Sequence, residues 1–180
     1  MKKLSFLFIL FFLAFGERVL FDFGPNIELV TTALILSSFY VGRKKSFWLI
    51  FAIMLFSDLI IGNTNIFIFT WTGFLLPAFV IRYFSIPKSS SRTKATTGTI
   101  AGILSNGFFF IWTNFGVWLL SSMYPKTAPG LLMSYINALP FLRYQLTSTL
   151  IFVPLGFILT ETTISLIKNY RARIRVQGIG

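Results

Sequence analysis

The chain has 180 residues, of which 55% are hydrophobic and 12% are charged. Because soluble domains usually contain about 25% charged residues, this composition excludes an ordinary soluble enzyme and predicts an integral membrane protein. The sequence contains no Cys and no His, which removes disulfides, thiolate nucleophiles and the commonest metal ligand. We therefore expect no enzymatic activity, no metal and no cofactor.

Six apolar runs predict an all-α integral membrane fold, a bundle of six transmembrane helices. Each run is close to the length that crosses a hydrocarbon core of roughly 30 Å. The runs cover residues 4–22, 27–42, 46–61, 66–82, 97–120 and 145–167. We expect residues 1–180 to form a single membrane domain, since the last two helices alone could not satisfy their polar groups in lipid.

The first apolar run has two interpretations. Residues 1–14 have the basic start and apolar stretch of a secretory signal, and Ala14 and Gly16 offer a cleavage position. The run continues through Phe21, which favours a retained spanning helix. Cleavage of residues 1–16 stays open, because the other helices keep the same orientation in both cases.

Turn signals separate the following helices. Residues 24–26 (GPN) form a turn sequence in which Asn26 can cap the second helix. Gly42, followed by three basic residues, marks the end of that helix, and residues 62–65 (GNTN) predict a tight turn on the opposite side. Residues 87–97, rich in Ser, Thr, Lys and Arg, predict a flexible basic loop on the inside.

Two helices carry small residues four positions apart, a spacing that lets a second helix approach closely. These residues are Ala33 and Ser37 in the second helix and Gly98 and Gly102 in the fifth. Packing within the chain is one interpretation of these faces, and recognition of a partner helix is the other.

Residues 121–144 connect the fifth and sixth helices on the outside and contain few charges. Thr127 is a candidate N-cap, Pro129 suits a first helical turn, and the pattern predicts a short helix that stops before Pro140. We expect this segment to lie in the outer interface or to fold back over the bundle as a lid.

The basic residues predict the orientation of the bundle. With both termini in the cytoplasm, all but three of the sixteen Lys and Arg residues lie on the inside, as the positive-inside rule requires. The exceptions are Arg18, Lys126 and Arg143. Topology and anionic lipid headgroups then explain the net charge of +11, so we expect the lipid bilayer as a partner and no nucleic acid.

Three carboxylates need individual interpretations. Asp58 lies about one helical turn before the outer turn at the end of the third helix. It can cap or bond a neighbouring helix, pair with Arg18 or Arg143, or line a solute pocket. Glu28 begins the second helix, where a carboxylate favours the helix N-terminus, so capping is its first explanation. Glu161 lies near the inner end of the sixth helix and can meet Arg171 or a partner protein.

Amides and aromatic rings near the outer end indicate where a solute could bind. Asn114 and Trp118 are four residues apart and share a face of the fifth helix, so they could supply an amide and a ring to a planar polar ligand. Trp71 and Trp118 also fit an outer aromatic belt. Tyr124 and Asn137 are weaker candidates on the outer segment.

The first half of the chain contains three short motifs, at residues 24–31 (GPNIELVT), 56–63 (FSDLIIGN) and 69–74 (FTWTGF). They resemble the substrate-binding S components of energy-coupling-factor transporters, particularly the cobalamin-like branch. The second half more closely resembles a related, uncharacterised bacterial membrane protein family. Its motifs lie at residues 113–118 (TNFGVW), 124–127 (YPKT), 130–131 (GL) and 138–141 (ALPF).

The resemblance implies a six-helix bundle whose ligand pocket opens outward under the loops. It also implies docking on a membrane coupling subunit driven by two ATPases. Two features depart from the pattern. The first helix has Ala14 and Arg18 where many S components have two alanines four residues apart, and Ser148 and Thr149 stand where Gly-Asp is expected in the second family.

We predict a solute-binding subunit in the cell membrane of a bacterium, for uptake of a vitamin or similar small nutrient together with a separate ATP-driven coupling module. The predicted pocket residues are Asn26, Asp58, Asn63, Trp71, Asn114, Trp118, Tyr124 and Asn137. The alternative is a structural or assembly protein that recognises partner helices through its two small-residue faces and transports no solute.

Overall fold

The computed structural model describes residues 3–21, 24, 27–62, 64–81 and 90–176. These ranges contain helices, turns and short connections but no β-strand, so the all-α prediction is confirmed for them. The helices are α1 (Lys3–Phe21), α2 (Val30–Tyr40), α3 (Arg43–Ile61), α4 (Phe67–Val80), α5 (Ser91–Leu120) and α6 (Ala128–Val176). The last turn of α1, Glu17–Phe21, is π-helical, and α4 is interrupted at Leu76.

Three of the described helices, α1, α5 and α6, are long and apolar enough to cross a membrane. α2 and α4 are apolar but shorter, and α3 begins with Arg43 and two lysines. Large apolar side chains such as Leu59 and Ile151 face outward, with 73% and 55% of their surface exposed. An outer surface of this kind is stable in lipid and costly in water, so the chain is a membrane protein.

α6 is a single helix of 49 residues from Ala128 to Val176, and it includes both the predicted short outer helix and the predicted span 145–167. The prediction that the helix stops before Pro140 is wrong. The predicted start is confirmed, because the hydroxyl of Thr127 accepts a hydrogen bond from the Gly130 N–H at 3.3 Å.

Packing against α5 explains why α6 continues through Pro140. A proline removes one backbone donor and disfavours the helix locally. Before Pro140, Ser134 Oγ lies 3.3 Å from the Asn114 carbonyl of α5, and after it the Gln145 carbonyl accepts a bond from Asn106 at 3.1 Å. Because both sides of the proline pack on the same neighbour, residues 128–144 form a wall along α5 instead of a separate lid.

α5 also starts earlier than predicted. Residues 91–97 are helical, which corrects that part of the predicted loop 87–97, while residues 82–89 lie outside the described ranges. Ser90 provides the N-cap, since its hydroxyl accepts a bond from the Thr93 N–H at 3.1 Å. The favourable cap permits the helix to begin in a polar segment that has no apolar periodicity.

α2 lies at the centre of the bundle and contacts α1, α3, α5 and α6. All side chains from residue 30 to residue 38 are buried. Two glycines of α5 face α6 and α2: a Cβ at Gly98 would overlap the ring of Phe157 on α6 and lie 3.2 Å from Ile35 on α2, and a Cβ at Gly102 would lie 2.7 Å from the methyl group of Thr149 on α6. Small residues therefore permit the close contact of α5 with α6 and α2.

Candidate functional site

A cavity lies among α4, α5, α6 and the turn between α5 and α6. We call this end of the bundle, which also holds the α3–α4 turn, the outer end, after the predicted orientation. The outer cavity has a volume of about 390 Å³, within the range of small-molecule sites. Its polar lining comes from Thr70, Thr113, Asn114, Tyr124, Ser134, Asn137 and Gln145, and its aromatic lining comes from Phe109, Phe110, Tyr124 and Phe141.

The two asparagines of the outer cavity are held in fixed positions by their own amide N–H groups. Asn137 Nδ2 donates to the Tyr124 hydroxyl at 3.2 Å, and Asn114 Nδ2 donates to the Phe110 carbonyl one turn earlier at 2.8 Å. None of the hydrogen bonds in the described ranges uses either Oδ1 atom. Both amides can therefore accept a hydrogen bond from a ligand in the cavity.

A second cavity of about 250 Å³ lies beside the outer cavity. We call it the acidic cavity, because Glu17, Arg18 and Glu28 are the charged residues of its described lining. Among the described residues, the two cavities have three lining residues in common, namely Thr70, Phe109 and Gln145. These shared side chains form the boundary between a largely uncharged compartment and a charged one.

Gln145 occupies this boundary and is 4% exposed. Its backbone carbonyl accepts the bond from Asn106. Its side-chain amide makes no hydrogen bond within the part of the chain that the structure describes. An unbonded amide that lines two cavities can bond to a ligand or to water in either of them.

A buried polar network fixes the wall next to the acidic cavity. The Glu28 carboxylate accepts bonds from the Thr31 N–H at 2.8 Å and the Thr31 hydroxyl at 2.5 Å, which confirms the predicted capping of α2. Ser148 Oγ donates to the Glu28 carbonyl at 2.8 Å, and Asn106 Nδ2 donates to the Thr149 hydroxyl at 2.7 Å. The network therefore joins α2, α5 and α6 through Ser148 and Thr149, which replace the Gly-Asp expected from the resemblance.

Asp58 joins three helices through its two carboxylate oxygens. Oδ1 lies 2.7 Å from the Arg18 guanidinium of α1, and Oδ2 accepts a bond from Trp71 Nε1 of α4 at 2.6 Å. Arg18 also donates to the hydroxyl of Ser57 at 2.8 Å. Of the interpretations open from the sequence, pairing with Arg18 is the one observed, whereas Arg143 is exposed on α6. Asp58 is absent from the lining of both cavities.

Trp118 stabilises the turn between α5 and α6. Its indole N–H donates to the Pro125 carbonyl at 2.9 Å. The ammonium group of Lys126 bonds to the backbone carbonyls of Trp118, in the last turn of α5, and Ser121, the C-cap residue. A cation at this position satisfies carbonyls that a helix C-terminus leaves unpaired. The side chain of Trp118 is therefore used for local structure and does not line the outer cavity.

The eight predicted pocket residues fall into three groups. Three line the outer cavity: Asn114, Tyr124 and Asn137. Three bond to other helices or to the outer turn and line neither cavity: Asp58, Trp71 and Trp118. Two lie outside the described residues: Asn26 and Asn63.

The small-residue faces lie inside the chain. Ala33 and Ser37 are 2% and 0% exposed on the central helix α2. Gly98 and Gly102 are also buried, against side chains of α6 and α2. A partner helix could reach these four residues only if the bundle opened.

Glu161 contacts residues of its own chain at the inner end. Its Oε1 lies 2.7 Å from the ammonium group of Lys94 on α5 and accepts a bond from the Tyr40 hydroxyl of α2, also at 2.7 Å. In place of the predicted contact with Arg171, the structure shows an ion pair between α5 and α6. This pair fixes the end of the bundle opposite the two cavities. A contact with a partner protein stays a prediction.

Sequence analysis missed most of the α6 wall of the outer cavity, including Ser134, Phe141 and Gln145. A signal for it exists: together with Ala138, these residues recur at intervals of four, three and four, which places them on one helical face. The assumed stop before Pro140 divided this face into two unrelated pieces. The α5 wall was missed in part, since Thr113 lies beside the predicted Asn114.

A protein-family model matches residues 1–171, which include all of α1 to α5 and most of α6. The chain belongs to DUF6580, a family of unknown function. Neither a curated protein nor a solved structure matches it. The family therefore supplies no ligand and no activity, and the interpretation of the two cavities depends on their own geometry.

Proposed function

We propose that the protein is a solute-binding subunit for uptake of a vitamin or similar small nutrient, embedded as six spans in the cell membrane of a bacterium. In this arrangement both termini are cytoplasmic and the outer cavity opens away from the cytoplasm. The distribution of Lys and Arg residues supports the orientation. The three long apolar helices support the membrane location.

The observation that carries the proposal is the outer cavity. It combines amide and hydroxyl groups with aromatic rings, a composition typical of sites that orient a small polar molecule and exclude water from it. Asn114 and Asn137 present acceptor atoms, and Tyr124 is held in position by Asn137. Its volume of about 390 Å³ suits a small molecule and is too small for a folded macromolecule.

The ATP-driven coupling module stays a prediction from the resemblance alone. Many S components present two alanines on the first helix to this module. Here Ala14 is 0% exposed and Arg18 is paired with Asp58, so this part of α1 contacts the chain's own helices. A coupling subunit would have to use another surface of the bundle.

The test is purification of the intact protein in mild detergent, followed by mass spectrometry of released small molecules and of co-purifying proteins. We expect one bound compound in the wild type. Asn114→Leu and Asn137→Leu should each weaken binding about tenfold, which is ~1.4 kcal/mol, because each removes one hydrogen-bonding amide at similar volume.

The matched control is Asn169→Leu, the same substitution at an exposed position near the inner end of α6. It should leave the bound compound unchanged. An empty wild-type protein, or equal occupancy in all three variants, would contradict the proposal. Co-purification of a membrane subunit with two ATPases would separately support the coupling prediction.

The structural or assembly alternative predicts a partner protein instead of a bound compound. Its proposed contact residues are buried in this chain, so Gly102→Leu should first lower the stability of the bundle through overlap with Thr149. Partner capture that is lost in Gly102→Leu but retained in an equally destabilised variant elsewhere would favour this alternative.

A further inference from the structure

The outer cavity and the acidic cavity are adjacent. Thr70, Phe109 and Gln145 line both, so a ligand that enters one compartment contacts the boundary of the other. Phe109 is supported from behind by Phe74, whose ring centroid lies 4.4 Å away. The boundary thus contains an aromatic ring and an amide at a fixed position.

Gln145 supplies the observation that points to a ligand. The residue is 4% exposed, it lines both compartments, and its side-chain amide is unbonded within the described ranges. An amide oxygen can accept a hydrogen bond from a donor group and the amide NH₂ can donate one. A molecule that extends across the boundary would satisfy this amide.

The charges of the acidic cavity indicate the chemical class of that molecule. Glu17 and Glu28 both line it, Glu17 Oε2 accepts a bond from the Leu29 N–H at 3.2 Å, and Arg18, the basic residue of the described lining, is bonded to Asp58. Neither salt bridge in the described part of the chain includes Glu28, whose carboxylate is oriented by the uncharged donors of Thr31. A buried carboxyl group is stabilised in its charged form by a cation, so this compartment favours a positive group and disfavours a second carboxylate.

The geometry points to an organic cation as the ligand, with an ammonium or similar charged end in the acidic cavity and a flat uncharged part in the outer cavity. This inference rests on the proposed function and adds the substrate class. The cation lies near Glu28, and Gln145 accepts a hydrogen bond from the ligand at the boundary. The ring of Phe109 lines both cavities and can attract positive charge through its face.

The test uses the full chain in lipid nanodiscs and two matched series of compounds that differ in charge. One series is tryptamine, tryptophol and indoleacetate, and the other is phenethylamine, phenylethanol and phenylacetate. Affinity is measured from ligand-induced shifts of the unfolding temperature. We expect the amine of at least one series to bind about tenfold or more tightly than its alcohol, and the carboxylate to bind weakest.

Two variants and one control show which residues cause the preference for the amine and which contribute to the binding of all three compounds. Glu28→Gln retains an oxygen that can cap Thr31 and removes the charge, so the amine and the alcohol should bind within about twofold of each other. Gln145→Leu should weaken all three members of a series together. Glu161→Gln makes the same charge change at the opposite end of the bundle and should leave the preference for the amine intact.

The possible outcomes separate this inference from the proposed function. An alcohol that binds as tightly as its amine, or a preference that survives Glu28→Gln, overturns the assignment of a cation. Absence of binding by all six compounds overturns it as well. The release of a bound compound from the wild-type protein tests the proposed function independently, and a released neutral or anionic compound would overturn the cation class alone.

Discussion

Replacement of Asp58 by alanine should destabilise the bundle strongly, because one carboxylate bonds to two other helices. Asp58 is 8% exposed, and its oxygens lie 2.7 Å from the Arg18 guanidinium and 2.6 Å from Trp71 Nε1. Hydrogen bonds to charged groups contribute about 1.5–3 kcal/mol each. Breaking a buried ion pair from one side costs about 3–5 kcal/mol.

In Asp58→Ala the guanidinium of Arg18 loses its ion pair. Its side chain is 16% exposed and can keep its bond to Ser57, so water and one hydroxyl partly compensate the loss. We therefore expect Asp58→Ala to cost about 3 kcal/mol, at the lower end of that range. Asp58→Asn should cost about half as much, since an amide oxygen can still accept the bond from Trp71.

The assay is reversible unfolding in mixed detergent micelles, with the double variant Arg18→Met/Asp58→Leu and the control Arg143→Ala. The double variant should lose less stability than the summed losses of Arg18→Met and Asp58→Leu measured separately, because it leaves no charge unpaired. Arg143 is exposed, so its removal should change stability by about 0.5 kcal/mol or less. Equal effects of Asp58→Ala and Arg143→Ala, or strict additivity in the double variant, would refute the reasoning.

Two further predictions concern the buried network and the orientation. Asn106→Ala should cost about 1–3 kcal/mol in the same unfolding assay, because it leaves the Thr149 hydroxyl and the Gln145 carbonyl without their donor; an unchanged unfolding midpoint would contradict this role. The chain has no Cys, so Lys44→Cys and Lys126→Cys can be labelled selectively with a membrane-impermeant maleimide. The proposed topology predicts labelling of intact cells at residue 126 only, and labelling of both positions after lysis; the reverse pattern would exclude it.

Features that depend on neighbouring residues were predictable from the sequence. A carboxylate three residues before Thr31 caps α2, and the hydroxyl of Thr127 caps α6, because a cap involves groups within one turn. Gly42 separates α2 from α3 with a φ of +116°, a conformation that favours glycine. The membrane class followed from composition, since it depends on the total apolar surface and not on its arrangement.

Features that depend on distant residues were decided by tertiary structure. Asp58 had two possible basic partners in sequence, and only the arrangement of α1 beside α3 selects Arg18. The α6 wall of the outer cavity required a helix that continues through Pro140, and local propensity predicts a stop there. Packing along α5 reverses that preference and places Gln145 between the two cavities, because contacts distributed over a long helix outweigh one lost backbone bond.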